Sequence, residues 1–144
     1  MTPAAATTPS AAARHKGLHI GLWVVQGLLV IPFAPGGAMK AFMPMAELAQ
    51  KMSWVPHFSP ATVRFIGLAE LAGALGLVLP SALRIRPVLT PLAAIGLFLV
   101  MVLAAVFHVQ HDELQYLPLN AVLGGLALFV AWGRWRKVPI TARR

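Results

Sequence analysis

The chain has 144 residues, a length typical of one domain. Hydrophobic residues make up 58% of it and charged residues only 11%, where about 25% is ordinary in soluble domains. So few charges cannot cover the surface of a water-soluble protein, and the composition also excludes intrinsic disorder and a coiled coil. It predicts a membrane protein surrounded by the lipid bilayer.

The net charge is +8, from 12 Lys and Arg against 4 Asp and Glu. In a soluble protein this excess would indicate nucleic-acid binding by a basic face. Here the basic residues lie between and beyond the apolar segments, so they indicate membrane topology and no nucleic-acid partner. Cys is absent, which excludes disulfides, thiolate catalysis and Cys-ligated cofactors.

Residues 1–17 precede the first apolar segment and are rich in Ala, Thr and Pro. A secretory signal peptide has its charges first and its apolar region second, followed by a cleavage site. Here Arg14 and Lys16 come at the end of the segment, directly before the apolar residues. We predict a disordered cytoplasmic tail over residues 1–17, a membrane domain over 18–137 and a basic cytoplasmic tail over 138–144.

Four apolar segments follow, each near the ~20 residues that a helix needs to cross the hydrocarbon core. They cover about residues 20–39, 63–79, 88–107 and 114–133. Only helices and closed barrels satisfy their backbone within lipid, and the alternation typical of strands is not visible. The sequence therefore predicts an all-α membrane protein, a four-helix transmembrane bundle. Pro32, Pro35, Gly36 and Gly37 are expected to break the first helix near its end.

The basic residues are distributed unequally between the two sides of the membrane. With four spans, both termini share a side with the connection between spans two and three. That side carries nine basic residues: Arg14, Lys16, Arg84, Arg86, Arg134, Arg136, Lys137, Arg143 and Arg144. The opposite side keeps Lys40, Lys51 and Arg64. The positive-inside rule predicts that both termini lie in the cytoplasm.

The connection between spans one and two carries apolar residues at helical spacing. They are Met45, Leu48, Ala49, Met52 and Val55. This pattern predicts a short amphipathic helix in the headgroup plane, with Trp54 and Phe58 as interfacial anchors; a plain loop is the alternative. Four methionines, Met39, Met43, Met45 and Met52, suggest soft-metal binding on one interpretation, but more often such residues form an apolar face.

Small residues four apart occur in spans two and four. The pairs are Ala69 and Gly73, Ala72 and Gly76, and Ala121 and Gly125. In lipid, such pairs let helix backbones approach closely, because apolar side chains gain little by leaving an apolar solvent. We expect these pairs to mark helix contacts.

Five polar residues from four spans are predicted to converge in the outer half of the bundle. They are Lys40, Arg64, Glu70, His108 and Asn120. Glu70 lies six residues deeper than Arg64, about 9 Å at 1.5 Å per residue, and Asn120 lies equally deep in span four. Arg64 and Glu70 are not spaced as an i,i+4 ion pair. Candidate partners of Glu70 are Lys40 or Arg64 and His108 or Asn120, and the inner half contains only Gln26.

Two interpretations of these polar residues stay open. Ionisable groups inside a span commonly mark a functional site, here a small-molecule or proton site reached from outside. Alternatively, the same groups form a polar network that only fixes the register of the helices.

Several of these segments together resemble one family. They are Gly37–Ala38–Met39–Lys40, Arg64 with Ile66–Gly67–Leu68–Ala69–Glu70 and Leu79–Pro80, Ala104–Ala105–Val106–Phe107–His108, and Asn120. In order and spacing they resemble the DoxX-like family of small four-helix membrane proteins, from about residue 20 to residue 134. The resemblance implies a four-helix inner-membrane bundle. Its founding members accompany thiosulfate:quinone oxidoreductases, and others are linked to redox or thiol stress; without Cys, no thiol relay carries over.

The resemblance and the polar residues give a functional hypothesis. It is a membrane subunit of a redox system that binds a quinone-like molecule, with Glu70 and His108 exchanging protons. Lys40, Arg64 and Asn120 would bind the ligand, with Lys40 or Arg64 holding a carbonyl or an anion. A redox partner subunit and a homo-oligomer are both compatible with this hypothesis. The alternative is a non-catalytic scaffold or a small transporter-like protein, for which four short helices leave little transport volume.

A group of potential metal ligands ends span three. His108, His111, Asp112 and Glu113 lie close together in sequence, with His57 on the same side. Zinc sites need fixed geometry and a supporting second shell, so a solvated polar loop is the favoured interpretation and no metal is expected.

Overall fold

The computed structural model describes residues 11–143. This part of the chain forms the helices α1 (Ala11–Phe42), α2 (Met45–Lys51), α3 (Pro60–Leu83), α4 (Leu89–Gln110) and α5 (Leu117–Trp132). Short 3₁₀ turns lie at Val55–His57 and Leu114–Tyr116, and a π-helical turn, Gly133–Lys137, extends α5. Four helical segments, His15–Phe42, Pro60–Leu83, Leu89–Gln110 and Leu114–Lys137, are long and apolar enough to cross a membrane. The all-α four-helix class is confirmed.

The four long helices form a ring in which α1 packs on α3, α3 on α4, α4 on α5, and α5 on α1. Its core is apolar and draws on all four helices: Leu22, Leu29, Phe33, Ala74, Leu77, Ala94, Leu97, Met101, Ala127, Val130 and Ala131. We call the end of the ring next to α2 the α2 end, and the other end, where α1 begins and α5 stops, the far end.

The first helix is longer than the sequence predicted. It begins at Ala11, so residues 11–17 of the predicted disordered tail are helical, while residues 1–10 lie outside the described residues. The alanines at its start favour this extension because Ala has the highest helix propensity. Pro32 and Pro35 lie inside α1 and do not break it. In membrane-spanning helices, neighbouring helices and local adjustments satisfy the backbone groups that proline frees, so the expected break is absent.

A close helix crossing joins α1 and α3 at two glycines. A Cβ placed on Gly37 would lie 2.8 Å from the carbonyl oxygen of Gly67, and one on Gly67 would lie 2.6 Å from the backbone nitrogen of Ala41. Only glycine fits at either position, because the obstructing atoms are backbone and cannot rotate away. Gly37, predicted to break a helix, thus serves as a contact between two helices.

Substitution at this crossing is expected to destabilise the bundle. Gly67→Ala forces α1 and α3 apart and should lower the free energy of unfolding by about 1–3 kcal/mol, the usual cost of overpacking. Gly125→Ala is the matched control, because a Cβ there meets no atom within 4 Å. Unfolding of both variants in detergent checks this, and equal stability of the two would contradict the tight crossing.

Two of the three predicted small-residue pairs lie at helix contacts. Gly73 packs on Leu97 and Gly76 on Ala93, both between α3 and α4. The prediction for the third pair, Ala121 and Gly125, is wrong for contacts within the chain, because both residues face outward. The inward face of α5 is set instead by Asn120, Gly124 and Ala127, which recur at helical spacing. Here Gly124 faces Met101.

The predicted short helix between the first two spans is confirmed as α2. Its buried Leu48 forms a second apolar cluster with Val55 and Val63, at the α2 end. All four methionines of this region pack against that cluster: Met39, Met43, Met45 and Met52. The interpretation of the methionines as an apolar face is therefore confirmed.

Candidate functional site

A cavity of about 550 Å³ lies at the α2 end of the bundle. Its lining is mostly apolar and comes from all four long helices and from the connection after α2, including Trp54. Phe65 and Leu103 line the cavity and are also among the most exposed side chains of α3 and α4. The cavity therefore reaches the apolar outer surface of the bundle.

Four of the five predicted polar residues line this cavity: Lys40, Glu70, His108 and Asn120. Lys40 and Glu70 form an ion pair, with Lys40 Nζ 2.7 Å from Glu70 Oε1 and 2.6 Å from Oε2. The Glu70 side chain is 4% exposed and that of Lys40 13%. Each residue lies three positions beyond a glycine of the α1–α3 crossing, so the close approach of the two backbones brings the pair together.

Arg64, the fifth predicted residue, is not among the residues that line the cavity. Its Nη1 donates a hydrogen bond to the backbone carbonyl of Lys40 at 2.8 Å. That carbonyl lacks its helical donor because the residue four positions later is Pro44, which has no N–H. Arg64 therefore satisfies the C-terminus of α1 and places its positive charge at the negative end of the helix dipole.

His108 pairs with Glu113 and not with Glu70. Its Nδ1 lies 2.8 Å from Glu113 Oε2, while Ser53 Oγ donates to Glu113 Oε1 at 2.8 Å. The backbone explains this pairing: Asp112 has a positive φ of 56°, and the N–H of Glu113 bonds the carbonyl of His108. Such a left-handed residue after a helix folds the chain back over its last turn, and Asp tolerates the conformation.

Glu113 lies in the connection between α4 and α5, outside the membrane-spanning segments. The hydrogen bond from Ser53, followed by that with His108, holds the pKa of the Glu113 carboxyl below its usual value. The stabilisation from these contacts is therefore present above the usual pKa and is lost as the pH falls through the lowered one. At neutral pH the carboxylate is ionised and fixes His108 Nδ1 as a donor, leaving Nε2 without a partner among residues 11–143.

Asn120 differs from the other polar residues of the cavity. It is 8% exposed, and within the described residues its Nδ2 has no hydrogen-bond partner. A buried amide without a partner costs about 1–3 kcal/mol, and such groups are few in folded proteins. The site thus contains one satisfied ion pair, one histidine oriented by a carboxylate and one free amide donor.

Comparison with known proteins assigns the chain to a family. Its sequence matches the DoxX-like family over residues 24–130, most of the chain. This chain belongs to the DoxX-like family. Membership together with four apolar helices makes it a multi-pass integral membrane protein, and confirms the resemblance found in the sequence. Comparison with curated proteins and with solved structures found no match.

The potential metal ligands at the end of α4 make other contacts in this DoxX-like chain. Over residues 11–143, no three His, Asp or Glu side chains are grouped so that they could hold a metal ion. His111 stacks on Phe107, with ring centroids 3.9 Å apart, and its Nδ1 contacts the Phe107 carbonyl at 2.9 Å. His57 approaches His111 edge-on at 4.7 Å. His57, His111 and Asp112 are exposed, as the interpretation of a solvated polar loop expects, and the rings of the two histidines also contact each other.

A second polar cluster lies at the far end of the bundle, where the sequence predicted only Gln26. Arg134 is 3% exposed and donates from Nε to Gln26 Oε1 at 2.8 Å, while Gln26 Nε2 donates to the Leu77 carbonyl. Arg134 Nη1 lies 3.2 Å from His19 Nδ1, and its guanidinium lies 5.2 Å from the Trp23 ring centroid. The residue counted as a topology signal is thus buried between α1 and α5.

Proposed function

We propose that this DoxX-like protein is a membrane component of a redox system that binds a small hydrophobic, quinone-like molecule in the cavity at the α2 end. The observation that carries the proposal is an apolar cavity that reaches the outer surface and contains polar groups deep inside. Its volume of about 550 Å³ lies within the usual range for small-molecule sites, ~300–1,000 Å³. A lipid-soluble molecule would arrive directly from the bilayer.

In this proposal His108 and Glu70 exchange protons with the ligand. His108 suits this role because Glu113 holds Nδ1 and leaves Nε2 free for a hydroxyl of the ligand. Glu70 would act together with Lys40, since proton exchange at either partner changes the charge of the pair. Lys40 and Asn120 line the cavity and are the proposed ligand contacts, whereas Arg64 would act by holding the end of α1.

The electrons must come from outside this chain or from the bound molecule. The sequence has no Cys to ligate a cluster, so we propose a redox partner subunit or a substrate that carries the electrons itself. Trp54 and Phe58 pack edge-to-face beside the cavity and belong to its lining. We propose that they cover its opening at headgroup depth.

Two variants test the functional proposal. We expect the purified wild type to retain a quinone-like molecule in native mass spectrometry, and the Glu70→Gln/His108→Ala variant to lose most of it. Quinone-dependent turnover with membranes should fall in parallel. His111 lies outside the cavity lining, so His111→Ala should retain both the bound molecule and the quinone-dependent turnover. Equal retention and equal turnover in a correctly folded double variant would withdraw the proposal.

A scaffold or small transporter-like protein is the second candidate, and one observation favours it. Both Glu70 oxygens bind Lys40, and Arg64 binds the Lys40 carbonyl, so three predicted site residues are satisfied by the protein itself. On this alternative the polar residues only fix the helices. Wild-type turnover in the Glu70→Gln/His108→Ala variant would favour it.

We also propose that the protein lies in the inner membrane, as the family resemblance implies, with both termini in the cytoplasm, as the nine-to-three distribution of basic residues indicates. Reporter fusions after residue 143 and within residues 47–59 check this orientation. The fusion after residue 143 should be active only with a reporter that works in the cytoplasm. The fusion within residues 47–59 should be active only with a reporter that works in the periplasm. Periplasmic activity at the C-terminus would contradict the orientation.

A further inference from the structure

We infer that Asn120 is the hydrogen-bond donor that anchors the ligand, and that the cavity takes an uncharged molecule with an acceptor oxygen rather than an anion. The inference rests on the proposed function, because it assumes that the cavity binds a small molecule. It chooses between the carbonyl and the anion that the sequence left open. It also moves the anchoring role from Lys40 and Arg64 to Asn120.

The amide nitrogen of Asn120 is unsatisfied within the described residues. The side chain is more than nine-tenths buried and lines the cavity, and its Nδ2 has no partner among residues 11–143. A donor buried in apolar surroundings stabilises the fold only when an acceptor reaches it. Within the described residues none does, so an acceptor oxygen of a bound molecule would complete the hydrogen bonding of this amide.

The cavity offers an anion no unpaired lysine or arginine within its described lining. Lys40 lines the cavity, but both oxygens of Glu70 neutralise its ammonium at 2.6 and 2.7 Å. Arg64 lies outside the lining and binds a backbone carbonyl. An anion entering this site would therefore lose its hydration without gaining an unpaired cation, which is costly in apolar surroundings.

The free amide and the paired lysine together define the chemistry of the ligand. The molecule carries an uncharged acceptor oxygen for Asn120 and an apolar body for the remaining walls, such as those formed by Phe65 and Leu103. A ring ketone of a quinone and an ester carbonyl of a lipid both satisfy this description. They share the same acceptor chemistry, so the experiment must separate them.

The experiment uses the full chain in detergent and three probes with the same ten-carbon chain. Decyl-benzoquinone carries ring ketones, methyl decanoate carries a neutral ester, and decanoate carries an anion. Calorimetric titration gives the affinity of each for the wild type, Asn120→Leu, Asn120→Asp and Gln110→Leu. Gln110 is the matched control, because it is an amide in the same lining but is exposed.

We expect at least one neutral probe to bind the wild type, and decanoate to bind at least tenfold more weakly than the neutral probe that binds more tightly. The affinity for the neutral probe should fall about tenfold in Asn120→Leu and in Asn120→Asp, and by no more than twofold in Gln110→Leu. Binding of the quinone alone identifies a ring ketone as the acceptor. Binding of methyl decanoate as well identifies any uncharged carbonyl.

Thermal unfolding without ligand separates a binding role from a structural one. Because Asn120 has no partner in the described protein, Asn120→Leu should unfold at the same temperature as the wild type or higher. A lower unfolding temperature, or failure to fold, would show that the amide is bonded within the protein and would overturn the inference.

The remaining outcomes distinguish the two proposals. Affinities unchanged within twofold in both Asn120 variants, or decanoate binding as tightly as the tighter neutral probe, would overturn the inference while ligand binding by the cavity stands. If the wild type binds none of the three probes saturably, the proposed function fails and the inference fails with it.

Discussion

Glu70→Ala should destabilise the protein by about 3–5 kcal/mol, the usual cost of removing one partner from a buried ion pair. The variant leaves the Lys40 ammonium in a largely buried site without the two contacts at 2.6 and 2.7 Å. His111→Ala should change stability by no more than about 0.5 kcal/mol, as is usual for exposed side chains, because His111 contacts mainly the ring and carbonyl of Phe107. Reversible unfolding in mixed micelles measures both variants.

A double variant tests whether this loss comes from the unpaired charge. Lys40→Met/Glu70→Leu replaces the ion pair by apolar side chains of similar length, and such replacements are often neutral or stabilising. It should therefore recover most of the stability lost in Glu70→Ala. If Glu70→Ala and His111→Ala unfold alike, the ion pair does not stabilise the bundle. If the double variant is the least stable of the three, the loss in Glu70→Ala does not come from an unpaired charge.

The number and type of helices could be predicted because the membrane imposes both. An apolar segment of about 20 residues has few alternatives to a helix in lipid, so the spans were found from composition alone. Their ends were less accurate. Rules for soluble helices make Pro32 and Pro35 helix breakers, but α1 continues through both. The same rules do not predict the contact between Gly37 and Gly67, because that contact depends on where the second helix packs.

The candidate site was predicted in part, because depth can be calculated from sequence but direction around a bundle cannot. Depth placed Lys40, Glu70, His108 and Asn120 at one end, and all four line the cavity. Pairing depends on local backbone geometry. The partner of His108 is Glu113, and the positive φ of Asp112 brings the two side chains together. The sequence signal for this pairing is a carboxylate just beyond the C-terminus of the helix that carries the histidine.

Arg134 was missed for a different reason. A basic residue at the end of a span fits the positive-inside rule, so its position gave no reason to expect burial. The signal was Gln26, a polar residue in the first span with no assigned partner. A buried amide needs hydrogen-bond partners, and the basic residues that end span four were among the candidates on this side of the bundle.

Gln26→Leu is expected to cost about 3 kcal/mol, more than a typical single substitution. It removes the acceptor of the Arg134 Nε–H and the donor to the Leu77 carbonyl, and it leaves a nearly fully buried guanidinium. Losing a hydrogen bond to a charged group costs more stability than losing one between neutral groups. Leaving a buried charge unpaired likewise costs more than leaving a neutral polar group unpaired. Unfolding in detergent measures the loss, with Arg136→Met, an exposed basic residue of the same turn, as the control.

The double variant Gln26→Leu/Arg134→Met should be more stable than Gln26→Leu alone, because it also removes the buried charge. Arg134 Nη2 has no partner among residues 11–143, so the wild-type cluster already carries an unsatisfied group. Removing both partners replaces a polar cluster by apolar packing on Trp23. The changes in the free energy of unfolding caused by the two substitutions should therefore not be additive. Additive losses, or a stable Gln26→Leu single variant, would mean that Arg134 does not depend on Gln26 for its buried position.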